Sequence, residues 1–258
     1  MEAALQVGFI GLFLVLGYLR PRAKAEKLLM RETWVNLGTG AGLFALRITL
    51  IAVVAQAATW RFVALGDFGG SALLQFAFVF LLTDLWRYWL HRAHHRVPFL
   101  WQFHQVHHSS EHLDSTSGLR MHLLDFIQLS LMPVLLFGVI FDATAFHPGV
   151  WVALGSIVGF MDAFQHSNLD FELGSPVAKA WDRLLNNPHF HSWHHTRDVM
   201  TYGDGNYGQA LTIWDRLFGT CVSGPKACRE LGLPSEDALE LSPLALQLLR
   251  KRAEVQSP

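Results

Sequence analysis

The sequence predicts an all-α integral membrane bundle of about four to five membrane helices, topped on its cytoplasmic side by a histidine-rich metal-binding cap. Three observations predict it. The 258 residues are 51% hydrophobic and only 16% charged, with a mean hydropathy of +0.26, whereas soluble domains carry about 25% charged residues. Long apolar runs alternate with short polar stretches along the first two thirds of the chain. Three histidine clusters, His91-Arg-Ala-His94-His95, His104-Gln-Val-His107-His108 and His191-Ser-Trp-His194-His195, hold nine of the fourteen histidines. Each borders an apolar or aromatic stretch, unlike a polar, low-complexity histidine tract.

Leu5 to Leu19 is apolar and short, and its positive charges (Arg20, Arg22, Lys24, Lys27) follow it. A secretory signal has the reverse order, so this is a first membrane helix or one lying on the membrane. Residues 20–36 are basic and polar. Residues 40–65 are apolar apart from Arg47 and Arg61, and Asp67-Phe-Gly-Gly70 is a turn. Ser71 to Leu90 has about the twenty residues that a bilayer core requires, and it runs directly into the first histidine cluster. After a polar stretch at 91–122, Leu123 to Phe141 and Phe146 to Phe164 read as a helical hairpin turning around Asp142 and His147-Pro-Gly149. Residues 165–258 form a mostly polar tail. The whole chain, 1–258, reads as one membrane domain.

Charge gives the topology. Basic loops face the cytoplasm, which places 20–31 inside. Spans at 40–65 and 71–90 return the chain to that side at His91, and the hairpin 123–164 leaves and returns again. All three clusters and His166 then share one face, as a single site requires. Cys221 and Cys228 form neither a CxxC pair nor a disulfide framework, which fits a reducing compartment. A net charge of −1 gives no reason to expect nucleic acid as a partner.

Imidazole is the commonest protein ligand for a transition metal. Residues at i, i+3 or i, i+4 share a helix face, as do His91 with His95, His104 with His107 or His108, and His191 with His194 or His195. Asp84 lies on the His91 face. His166 closes the last apolar helix, with Asp162 one turn before it. So many nitrogen donors exceed what one ion accepts and point to two. Donor type alone leaves zinc, copper, iron and nickel open. Asp84 and Asp162 are candidates to hold ligand imidazoles by hydrogen bonds. Asn206-Tyr-Gly208 reads as a structural turn, and Trp181 and Trp214 as interfacial anchors. Redox chemistry on a lipid is the natural use of two metals at a membrane surface, because hydrocarbon C–H bonds need an oxidant that side chains lack.

The run Asp84-Leu-Trp-Arg-Tyr-Trp-Leu-His-Arg-Ala-His-His95, with Pro98-Phe-Leu-Trp-Gln-Phe-His-Gln-Val-His-His-Ser109, resembles the fatty acid hydroxylase superfamily, also called the sterol desaturase family. Gln165-His-Ser-Asn168, Pro188-His-Phe-His-Ser-Trp-His-His195, Asn206-Tyr-Gly208 and Trp214-Asp-Arg-Leu-Phe-Gly-Thr220 continue the resemblance, which covers a catalytic region of about 75–222. The stretch from His107 to Arg120 is most similar to the alkylglycerol monooxygenase branch. The resemblance implies a membrane enzyme with two Fe ions and O2, acting on a sterol, fatty acyl, sphingolipid or ether lipid. It implies His91, His95, His104, His107, His108, His166, His191, His194 and His195 as ligands and leaves His94 and His189 outside the set. Hydroxylation is the expected outcome, with desaturation as the alternative. A metal carrier is disfavoured because the histidines sit at span ends and not at the midplane. The chain contains no four-cysteine iron–sulfur pattern, so a separate electron donor is expected: a reductase, or a cytochrome b5- or ferredoxin-like carrier.

Overall fold

The computed structural model describes residues 2–23, 27–57, 62–171, 174–198, 204–224 and 226–252. Lys24 and residues 58–61 of the expected second span lie outside them. The described chain is mainly helical. α1 is Glu2–Leu19, α2 Lys27–Ala57, α3 Ala72–Arg96, α4 Pro98–His108, α5 Leu123–Leu135 and α6 Pro148–His166. Shorter helices follow: α7 Pro176–Leu184, α8 Pro188–His194, α9 Ile213–Leu217 and α10 Pro243–Gln247. A two-residue parallel pairing of β1 (Val63–Ala64) with β2 (Phe141–Asp142) ties the segment after α2 to the end of α5.

Proline sets half of the helix starts. It fixes φ near the helical value and lacks the N–H that a first turn leaves unpaired. Pro148, Pro176, Pro188 and Pro243 each follow a capping side chain, from His147, Ser175, Asn187 and Ser242. Pro98 does more. A residue before proline is pushed out of the helical region, and Val97 is extended at φ −103°, ψ 111°. One break thus ends α3 and begins α4, folding the second histidine cluster back against the first.

Two boundaries differ from the sequence expectation. The polar stretch 20–36 is not all loop, because α2 begins at Lys27. Its Glu32, Val35, Asn36 and Thr39 recur at helical spacing and are buried. Glu32 and Asn36 on this face meet the polar segment 109–120, so hydropathy alone hides the helix. At the other boundary, Leu123 to Phe141 is α5 followed by a π-helical turn, Leu136–Ile140, just after Pro133. Proline removes a helical hydrogen bond, and such π turns relieve interrupted ladders.

α1 lies along α6, α3 packs on α6 and α4, and α2 packs on α5. An apolar core around Val79, Phe137, Phe146 and Leu154 fills the end away from the histidines. Phe13 and Phe164 join α1 to α6. Among the described residues α3 is the one helix long and apolar enough to cross a membrane by itself, and Ala4–Leu19 of α1 is apolar but shorter. The 13 residues of α5 rise only about 20 Å, against about 30 Å for a hydrocarbon core.

Candidate metal centre

The tip of α3, then α4, the end of α6 and α8 converge on a core of imidazoles. Their nitrogens fall into two groups, in each of which the candidate ligand atoms lie within 4.8 Å of one another. One group is His91, His95, His104, His108 and His194. The other is His107, His166, His191 and His195. All nine histidines singled out in the sequence are therefore brought together, split five and four. Neighbours in sequence part company: successive helical residues diverge by about 100°, so His107 and His108 serve different groups, as do His194 and His195.

The surrounding shell fixes which nitrogen faces inward. The Nδ1–H of His107 donates to the Arg120 carbonyl (3.2 Å), that of His166 to Asp162 O (2.8 Å) and that of His194 to Gly205 O (2.8 Å). A carbonyl only accepts, so Nδ1 carries the hydrogen and Nε2 presents a lone pair. His104 Nδ1 lies 2.9 Å from Asp125 Oδ2, and His95 Nδ1 lies 2.9 Å from Asp204 Oδ1. His91 Nδ1 lies 2.9 Å from the Tyr207 carbonyl.

The inward nitrogens fit a cation. His107 Nε2 and His166 Nε2 are 3.3 Å apart, two lone pairs with no hydrogen to share. In the larger group, Nε2 of His95, His108 and His194 is buried and finds no hydrogen-bond partner among the described residues. Buried polar atoms are normally satisfied, and metal ions would satisfy these. Burial, followed by the charge of neighbouring imidazoles, holds His107, His108, His191 and His195 well below the ordinary imidazole range. Burial also takes His194 down to about 3, against the hydrogen bond to Gly205. Neutral imidazole is the ligating form.

The two acids expected to support the ligands behave differently. Asp162 does so through its carbonyl, with its carboxylate 3.7 Å from His166 Nδ1. Asp84 touches none of the nine candidate imidazoles. It accepts from Ala210 N (2.9 Å), Leu211 N (3.1 Å) and Trp214 Nε1 (2.9 Å), docking the tail on α3. Sharing a helix face with His91 was insufficient, because seven residues separate their positions by about 10 Å along the axis. Trp214 is thus turned inward, and Trp181 donates to Asn186 O at 3.2 Å while packing on Phe164. Both rings are half-buried, with the indole N–H spent inside the protein.

Asp125 and Asp204 occupy the supporting positions that the sequence reading missed. Asp125 was detectable as the lone acid in apolar α5. His94 lies beside it, 3.6 Å from Nε2 to Oδ1, and forms a third small group with His104 and Asp125. His189 donates to Gly224 O at 3.1 Å, away from both larger groups.

The turn 205–208 supplies two of the orienting carbonyls and is tightly built. A Cβ at Gly205 would lie 2.2 Å from Thr220 O, and one at Gly208 2.4 Å from Leu211 O. Asn206, at φ 60°, donates to Phe190 O and Val222 O. Asp215 accepts from Tyr207 N, Gly208 N and Thr220 Oγ1, while burial pushes its carboxyl up to about 6.

A cavity of about 310 Å3 opens beside the smaller histidine group. Its walls are mainly apolar, with Phe44, Phe126, Leu129, Trp151 and Leu154 among them, and Asp162 is in its lining. Because the Asp162 carbonyl holds His166, the cavity and the imidazole core meet at that residue.

Comparisons with known proteins identify relatives of the chain. An ornithine lipid hydroxylase from Rhizobium tropici is 32% identical over 57% of this chain and 41% of its own length. Alkylglycerol monooxygenase from Xenopus tropicalis is 36% identical over 55% of the chain and 29% of its own length. The Danio rerio enzyme of that name is 29% identical over 83% and 45%. The chain thus spans less than half the length of these curated relatives. No solved structure matches it. The fatty acid hydroxylase family model matches residues 76–220, more than half of the chain and including all nine histidines, and the chain belongs to that family.

Proposed function

We propose that the chain is a membrane-bound di-iron oxygenase that hydroxylates a lipid with O2. The carrying observation is the division of nine histidines into groups of five and four, with the Nε2 atoms of His95, His108 and His194 buried and unpartnered. His91, His95, His104, His108 and His194 would hold one ion, and His107, His166, His191 and His195 the other. A pair of irons supplies the oxidant that an unactivated C–H bond requires. The protein's own part is to keep the imidazoles neutral, lock their tautomers through Asp125, Asp204 and the carbonyls of 205, 207, 120 and 162, and exclude water by burial. The apolar cavity beside His166 suits a hydrocarbon chain, which favours an enzyme over a metal carrier. The names of the relatives, hydroxylases and monooxygenases, favour hydroxylation over desaturation. Electrons would come from a separate reductase or from a cytochrome b5- or ferredoxin-like carrier. The basic residues after α1 support a cytoplasmic metal face in a multi-pass protein.

Metal analysis of the purified full chain from iron-supplied cells tests this reading. About two irons per chain are expected, and lipid extracts of expressing cells should gain a hydroxylated species that His107→Ala and His194→Ala abolish. A single tightly held zinc, or unchanged product in both variants, would refute it.

A further inference from the structure

α7 and α9 carry an apolar surface that the metal centre does not use. Val177, Ala180 and Leu184 recur at helical spacing on the outer side of α7, and Ile213 with Leu217 does the same on α9. Val177 is 76% exposed, Leu217 66%, Leu184 57% and Ile213 44%. The two helices are one surface: Thr212 N donates to Leu184 O at 3.0 Å, and Arg216 pairs with Asp182 at 3.4 Å. Exposed Lys179, Arg183 and Arg216 lie on the same two helices.

This surface is continuous with the candidate membrane helix. Trp214 of α9 donates to Asp84 in α3, and the Phe218 ring lies 4.9 Å from the Trp89 ring. α3 exposes Leu73, Leu74 and Leu81 lower down, then Trp86 and Trp89, with Arg92 stacked 5.3 Å over Trp89. From Leu73 to Trp89 the helix rises about 24 Å, so Trp86, Trp89 and Arg92 mark the rim of a bilayer around α3. Tryptophan and basic side chains favour that depth. α9 is held at the same level.

We propose that α7 and α9 are seated in the membrane interface beside α3, with Val177, Leu184, Ile213 and Leu217 in the acyl boundary and Lys179 and Arg183 at anionic headgroups. This rests on the membrane reading given above. An amphipathic surface with a basic rim is the chemistry of an interfacial helix. A second copy docked here would bring like-charged rims together, whereas lipid phosphates neutralise them.

The test is nitroxide depth measurement on the full chain in vesicles of phosphatidylcholine and phosphatidylglycerol. Cysteines are placed at Val177, Leu184, Ile213 and Leu217 in a Cys221→Ala background. Buried Cys228 stays in place and is checked in the cysteine background alone. Leu74 and Leu81 report on α3, and Lys251 serves as the water reference. The four test positions should lie about 5–10 Å inside the headgroup boundary, with oxygen more accessible than a water-soluble nickel relaxant. Water-like values at those positions with lipid values at Leu74 and Leu81 would overturn the proposal and leave α3 in the membrane. Water-like values at all six would overturn the membrane reading and the proposal with it. Spin–spin broadening at the test positions that disappears on dilution with unlabelled chain would assign the surface to a second copy and overturn the proposal.

Discussion

His107 and His194 belong to different imidazole groups, so removing either samples one ion site. Each alanine variant should lose at least as much activity as the 10–100-fold typical of losing a residue that merely orients a ligand. His112→Ala and His189→Ala, outside both groups, should keep most of it. Product formation normalised to expression is the measurement. At Asp204 and Asp125, replacement by Asn keeps the shape but removes the carboxylate facing His95 and His104. Iron retention against a chelator should fall about 10–100-fold in each variant. The histidines were legible in the sequence because ligands on one helix face announce themselves by local spacing. Asp125 stood out only as the lone acid of an apolar helix, and neither it nor Asp204 could be matched to its histidine, because each meets it only through tertiary packing. Asp84 misled for the converse reason, since a shared helix face says nothing about the partner opposite it.

Among the elements, the turn 205–208 is hemmed in by backbone carbonyls at both of its glycines. Gly205→Ala and Gly208→Ala would each drive a methyl group into a backbone carbonyl. Overpacking of that kind costs about 1–3 kcal/mol and would displace the carbonyls facing His194 and His91. A lower thermal midpoint and a lower iron content should appear together in both variants. Asp84→Ala should act differently. It strands the buried Ala210 and Leu211 N–H groups and the Trp214 indole, at about 1–3 kcal/mol for each buried donor left unpaired. Stability should drop while any metal that remains keeps its spectrum. The start of α6 at Pro148 lies two residues from the expected Phe146, whereas the capped proline starts at Pro176 and Pro188 were passed over inside the stretch read as a polar tail. The start of α2 was not readable, because Glu32 and Asn36 are buried against polar partners: Ser110 Oγ donates to Glu32, and Arg120 donates to Asn36 Oδ1 and pairs with Glu32.

For the whole molecule, acid should be a sharper challenge than alkali. His107, His108, His191, His194 and His195 are held below 6.5 in the folded state, so below that pH the unfolded chain binds more protons. Stability is therefore fully present above about 6.5 and is lost as pH falls through that value towards the folded values, about 3 for His194. The unfolding midpoint of metal-free protein should be flat between pH 7 and 8 and decline steadily at pH 6 and 5. A midpoint that rose on acidification would contradict the burial of these imidazoles. At this scale, the placement of the first histidine cluster and His166 at the ends of apolar helices was legible from hydropathy. The shortness of α5 was not, because a proline inside an apolar run does not reveal where the helix gives way.

The order in which ligands occur along the chain carries a consequence for biogenesis. By the end of α6 a growing chain has four of the five imidazoles of the larger group but only two of the four in the smaller. α8 then completes both groups within five residues, and the turn at 205–208 that steadies His91 and His194 emerges later still. A chain interrupted before residue 191 could present only an unfinished, weakly closed site, so paired metal loading has to wait for nearly complete synthesis. Nonsense or frameshift lesions anywhere upstream of α8 should consequently yield no partly functional product.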